Sequence, residues 1–132
     1  MPALTDAATT VAEIKTRLLA FVRERDWEQF HSPKNLVMAL AGEVGELTEI
    51  FQWLTPEESA DVMVQAASAA RVRNEIADVL AYLLRLADVL DVDLEAALAD
   101  KIVKNAAKYP AETARSIATK YKDLSSGDRP FE

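Results

Sequence analysis

Apolar residues recur three and four apart along almost the whole chain, and strand-like alternation is scarce. Val11, Ile14, Leu18, Phe21 and Val22 predict a first helix from about Thr10 to Arg25. An aromatic connection, RDWEQFHSPKN, follows. Within it Ser32 has the chemistry of an N-cap and Pro33 that of a first-turn proline, so a second helix is expected from there to about Trp53. Thr55-Pro56-Glu57-Glu58 has capping-box spacing and opens a third, short piece. From Asp61 to Arg73 there is no breaker and no regular apolar pattern, which leaves helix and loop both open. Beyond Arg71 the period is clean. Val72, Ile76, Val79, Leu83, Leu86 and Leu90 step by four and three residues, the seam of a helix bundle. Asp93 suits a cap for a helix from Leu94 to about Lys108, which Tyr109-Pro110 ends. One short helix is expected in the remainder, before a polar tail.

Composition supports this picture. Of 132 residues only 3 are Gly and 5 are Pro, half are apolar, and Ala and Leu dominate, so the intrinsic preference is helical throughout. The expectation is one all-α domain over residues 1–124, a four-to-five-helix bundle, with residues 125–132 as the tail. The chain has no Cys, which excludes disulfides and thiolate metal sites. No secretory signal or membrane-length apolar run is visible, so a cytoplasmic location without membrane association is expected. A net charge of −7 argues against binding a nucleic-acid polymer, because polymer phosphates reward basic surfaces.

The acids carry the chemistry. In ALAGEVGELTEIF (39–51) neither Glu43 nor Glu46 has a basic residue within the next four positions, unlike the acids of an ordinary solvated face. Leu36, Leu40, Glu43, Leu47 and Ile50 share a stripe, so Glu43 occupies an otherwise apolar position. Glu46 lies one turn on and about 60° around the helix, close enough for the two carboxylates to converge. Glu49 rotates away from Glu43. The later helix repeats the arrangement with Glu75 and Asp78, on a stripe continued by Tyr82 and Arg85. Acid pairs at this spacing are common in acidic helical proteins, but two of them on core-adjacent stripes are not. Packed face to face, the four carboxylates form an oxygen-only cage suited to Mg²⁺, or Mn²⁺. A di-iron site of the ferritin type is excluded, because it needs two Glu-x-x-His motifs and the one histidine, His31, lies in the aromatic connection.

GEVGE, followed some thirty residues later by EIADVLAYLL, resembles the pattern of the all-α nucleoside triphosphate pyrophosphohydrolases, the MazG-like superfamily. RDWEQFHSPKNL, ELTEIFQW, KNAAKYP and ARSIATKYKDL are similar to its dCTP pyrophosphatase branch, in order, from about Phe21 to Leu124. The resemblance implies Mg²⁺-dependent hydrolysis of a nucleoside triphosphate to the monophosphate and pyrophosphate. It makes Glu43, Glu46, Glu75 and Asp78 the catalytic metal ligands. It also implies a homotetramer, built as a dimer of dimers, or a homodimer.

Substrate-side candidates come from both sources. Lys101, Lys104, Asn105 and Lys108 form one stripe of donors suited to phosphate oxygens, although lysines near a helix C-terminus also complement its dipole. The resemblance supports Lys101, Asn105, Lys108, Tyr109 and Tyr82 on the phosphate side, and spacing alone adds Arg85. Trp27, His31 and Trp53 are the candidates for a nucleobase, with the resemblance pointing to the two tryptophans. A helix from Pro33 to Trp53 is roughly 30 Å long, so both tryptophans reach one pocket only from different subunits. The chain departs from the branch at Leu18, where the first helix otherwise carries a histidine. That leaves the pyrimidine edge to other residues and widens the expected range to modified cytosine nucleotides, dUTP, dTTP and damaged nucleotides. Two alternatives stand beside this reading: a phosphoribosyl-ATP pyrophosphohydrolase, and a non-catalytic helical oligomer with a structural cation.

Overall fold

The computed structural model describes residues 4–116, and among these every regular element is helical. The helices are α1 (Val11–Glu24), α2 (Pro33–Phe51), α3 (Pro56–Ala60), α4 (Ala66–Val89), α5 (Leu94–Lys108) and α6 (Ala111–Ala114), with a 3-10 turn at Glu28–Phe30. The expected all-α class holds, and none of the helices is long and apolar enough to cross a membrane. The expected polar tail, 125–132, lies outside the described residues.

Helix starts follow local side-chain chemistry. Thr10 and Glu13 form a reciprocal capping box at α1. The Ser32 hydroxyl accepts from the Asn35 N–H at α2, Thr55 from the Glu58 N–H at α3, and the Asp93 carboxylate from the Ala96 N–H at α5. The segment left open in the sequence resolves into turns up to Gln65, after which α4 begins. The Ser68 hydroxyl closes those turns by donating to the Val62 carbonyl, at 2.7 Å.

Helix ends are less conventional. At α1 the Trp27 N–H bonds the Val22 carbonyl and the Asp26 N–H the Arg23 carbonyl, while Asp26 takes φ 54°. At α4 the Val92 N–H bonds the Ala87 carbonyl and the Asp91 N–H the Asp88 carbonyl, with Asp91 at φ 55°. Both are Schellman endings with aspartate in the left-handed position that glycine usually fills. The Lys15 ammonium donates to the Val92 carbonyl, at 2.9 Å, and so ties α1 to the second of them. The first ending reverses the chain just before Trp27 and aims it toward α2.

The chain forms two compact units, the first ending at Val92 and the second beginning at Asp93. In the first, α4 is the central element, with α2 and α1 packed against it. Val22, Leu36, Ala69, Val72, Leu84 and Ala87 are its buried apolar residues, and Leu36 is only 1% exposed. Fully burying one such leucine contributes about 1.5–3 kcal/mol.

The expected α4 seam needs correction. Val72, Val79 and Leu86 face inward, but Ile76, Leu83 and Leu90 are exposed, at 52%, 39% and 52%. The inward stripe is Ala69, Val72, Glu75, Val79, Tyr82 and Leu86, one residue out of step at every second position. The reason is that α4 is apolar around most of its circumference. Hydrophobic spacing alone does not choose between its faces, and the face packed within this chain is the one that carries Glu75 and Tyr82.

The second unit carries α5 and α6. Leu94 at the start of α5 and Ala114 at the end of α6 are half-buried, and the remaining positions of both helices are exposed.

Candidate active site

α2 and α4 run antiparallel, because His31, just before α2, meets Arg85 near the end of α4, while Glu43 meets Glu75 and Asp78 a few turns earlier. This pairing assembles the acids. Glu43, Glu75 and Asp78 each offer an oxygen, and the three atoms lie within 4.8 Å of one another. Glu46 is a near neighbour of both Glu43 and Glu75. Thus the structure brings Glu43, Glu75 and Asp78 together with Glu46 beside them, Glu43 and Glu75 half-buried and Glu46 and Asp78 more open. Glu49 is on the exposed side.

Electrostatically this is a site in want of positive charge. Glu43 Oε2 and Glu75 Oε2 are buried and reach no hydrogen-bond donor. Burial, then the Glu46, Asp78 and Glu75 carboxyls, push Glu43 up to about 7. Burial likewise raises Glu75, aided by Glu46 and Asp78 and opposed in part by Glu43. Two orphaned carboxylate oxygens beside a third and a fourth acid fit a hard divalent cation, which supplies the missing charge through oxygen ligands.

Beside the acids lies a pocket of about 180 Å³. Glu43, Asp78 and Tyr82 form one side, Trp27, His31 and Arg85 another, and Leu18, Phe21, Val22 and Ala81 the apolar wall. Trp27 is held edge-on to Phe21, with ring centroids 5.7 Å apart, and the Arg25 guanidinium covers the Phe21 ring at 3.8 Å. The space is below the range of pockets that enclose a whole drug-sized ligand and suits one flat ring system.

Arg85 is 4% exposed. Its Nε donates to His31 Nδ1 at 3.3 Å and its NH1 to Asp88 Oδ2 at 3.2 Å, so it is committed to protein partners although it also lines the pocket. This buried cluster was not foreseen from the sequence. Its only signal is an Arg and an Asp three apart on the inward side of an apolar helix.

Trp53, 86% exposed, follows the end of α2 and does not line the pocket with Trp27. Lys101, Lys104, Asn105 and Lys108 are exposed on α5 in the second unit, where Lys104 pairs with Asp100 of its own helix at 2.6 Å. Tyr109 caps that helix at its C-terminus.

Residues 39–124, which include all four acids, match the family model described as MazG-like family. The chain belongs to the MazG-like family. It is 44% identical over 118 residues to dCTP pyrophosphatase 1 of Rattus norvegicus and 45% identical over the same length to that of Homo sapiens. Each alignment covers 89% of this chain and 69% of the relative. The fold is similar to the crystal structure of a pyrophosphatase from Archaeoglobus fulgidus, with a TM-score of 0.71 and 38% identity, over 82% of this chain and 99% of the other.

Proposed function

We propose that this chain is a Mg²⁺-dependent pyrophosphohydrolase of dCTP and related pyrimidine nucleotides that clears unwanted members of the nucleotide pool. The reaction class is that of a nucleoside triphosphate pyrophosphohydrolase, which releases the monophosphate and pyrophosphate. One observation carries the metal site: Glu43, Glu75 and Asp78 converge while two of their buried oxygens have no partner.

In this reading Glu43, Glu46, Glu75 and Asp78 hold the cation, for which Mn²⁺ is the other suitable ion. When bound, it neutralises triphosphate charge and lowers the pKa of a coordinated water. The chain's own groups do the rest. An acid of the cluster accepts the proton of the attacking water. The ring of Trp27 and the wall of Leu18 and Phe21 take the base beside the acids. Tyr82 is on the phosphate side, and Lys101, Asn105, Lys108 and Tyr109 supply further phosphate contacts, with Lys104 adding charge next to its Asp100 partner.

The assembly proposed is a homotetramer or homodimer, in the cytoplasm. Ile76, Leu80 and Leu83 leave an apolar band on the central helix, and a groove of about 340 Å³ between α1 and α4 is lined by Leu4, Ile14, Leu18, Phe21, Leu80 and Leu84. A second copy covering such a surface also provides the route by which an exposed Trp53 reaches another chain's base pocket.

The test is pyrophosphate release from a panel of canonical and modified dNTPs and NTPs, with Mg²⁺ or EDTA, using wild type and Glu46→Gln. Metal-dependent release, greatest with cytosine nucleotides and lost in the variant, is expected. Silence across the panel with no nucleotide binding, while Mg²⁺ still raises the melting temperature, would leave a structural cation site instead.

A further inference from the structure

The pocket's polar groups are unevenly divided. Glu43 and Asp78 are acids, Tyr82 has a hydroxyl, Trp27 an indole N–H on the ring that stacks, and the Arg85 donors at Nε and NH1 are taken by His31 and Asp88. Leu18, Phe21, Val22 and Ala81 offer no hydrogen bond at all. His31 is different, because its state is dictated from behind. A guanidinium Nε–H can only donate, so His31 Nδ1 accepts, and the single proton of the neutral ring must sit on Nε2. Nε2 has no protein partner among the described residues.

The guanidinium is itself held in place. It is 4% exposed and bonded to Asp88, which offsets its charge and keeps it from swinging toward solvent. Burial and the Arg85 charge keep His31 below the usual histidine range, against the opposing pull of Glu28, which is paired with Arg23. A doubly protonated ring would set an N–H against the Arg85 N–H. The neutral form with Nε2–H is therefore the form presented to the pocket near pH 7.

We propose that Arg85 is a positioning residue that locks His31 in the Nε2–H tautomer, and that this N–H reads a hydrogen-bond acceptor, O2 or N3, on the pyrimidine ring of the substrate. The inference rests on the pocket being the base site of the proposed function. It adds which group reads the base and what sets that group's tautomer. A ring acceptor left without a donor in this partly apolar pocket would be costly.

His31 is the sole histidine of the chain, so the long-range ¹H–¹⁵N spectrum of the 132-residue chain reports it without assignment. Wild type is expected to show a protonated Nε2 and a bare Nδ1, and Arg85→Leu a mixture of tautomers. Titration with dCMP should move the Nε2 resonance whether or not the chain turns over. In kinetics, wild type should prefer dCTP over at least one of its 2-thio and 3-deaza analogues by roughly 10- to 100-fold, the scale of one buried hydrogen bond. His31→Leu should collapse that preference through KM, and His31→Gln, which keeps an amide N–H near the Nε2 position, should restore most of it.

A protonated Nδ1 in wild type, an Nε2 resonance unmoved by dCMP, or a dCTP preference unchanged in His31→Leu would each overturn the proposal. If no nucleotide is hydrolysed yet dCMP moves Nε2, the functional reading fails and the recognition role stands. Should Arg85→Leu not fold, the wild-type spectrum and the two His31 variants still decide.

Discussion

Glu43 on α2 and Glu75 on α4 each hold an Oε2 that is buried and meets no donor, within a set of acids whose oxygens come to within 4.8 Å. Two such oxygens repel, and neither is compensated by the chain. The fold accepts this cost at one place, where a cation would convert repulsion into binding. Glu75→Gln tests the balance directly. It should raise the melting temperature in EDTA by removing one like charge, and abolish the rise that Mg²⁺ gives the wild type. Scanning calorimetry with and without metal reads both effects.

The sign of the pH dependence follows from the same acids. Glu43 and Glu75 are raised in the folded chain relative to the unfolded one, so the metal-free folded state binds more protons between the ordinary carboxylate range and about 7. Their contribution to stability without metal should be fully present below the ordinary carboxylate pKa and be lost as pH rises through about 7. Metal affinity should rise over that interval, since binding displaces the proton. Urea unfolding in EDTA at pH 5 and pH 8 checks the first statement, and a Mg²⁺ titration at the same pH values checks the second.

Leu36 is the tightest apolar contact of the first unit, at 1% exposure, one turn into α2. Leu36→Ala should cost about 2–5 kcal/mol in chemical denaturation, more than any surface leucine of α4. A loss below about 1 kcal/mol would mean that the site collapses around the smaller side chain.

Much of this was legible in the chain itself. Ser32, Thr55 and Asp93 mark the helix starts because capping is a local transaction between a side chain and an amide three residues on. Glu43, Glu46, Glu75 and Asp78 were legible because acids in an apolar stripe demand a reason. The working face of α4 was not. Ile76 and Leu83 are as hydrophobic as Val79, and only the position of α2 decides which of them turns inward. The His31–Arg85–Asp88 cluster joins residues 54 positions apart through a tertiary contact that has no local period.

Asp91 offers a clean test of the helix endings. It sits at φ 55°, directly after the last residue of α4's C-cap, where a Cβ is disfavoured. Asp91→Gly should stabilise the chain, by at most about 1 kcal/mol, because relief of the left-handed cost exceeds the added chain entropy of glycine. Asp26→Gly should gain less, because the Asp26 carboxylate also accepts from Gln29 at 3.0 Å. Paired thermal melts of the two variants give the comparison.

Gly42 and Gly45 flank Glu43 in the middle of α2, where each costs the helix about 0.5–1 kcal/mol relative to alanine. Neither is required by crowding, since a Cβ built on either meets nothing within 4 Å. Nor does either glycine have a positive φ to explain it. What the two glycines keep clear is open surface beside the acids. Gly42 lies one turn before Glu46, on the same face of the helix. Gly42→Ala should therefore raise stability in EDTA by about 0.5–1 kcal/mol and, if the open surface beside the acids is used in catalysis or assembly, lower kcat/KM for the nucleotide. Chemical denaturation and steady-state kinetics on the same preparation separate the two effects. A stabilised chain with unchanged turnover and unchanged oligomeric state would show that the glycines serve neither.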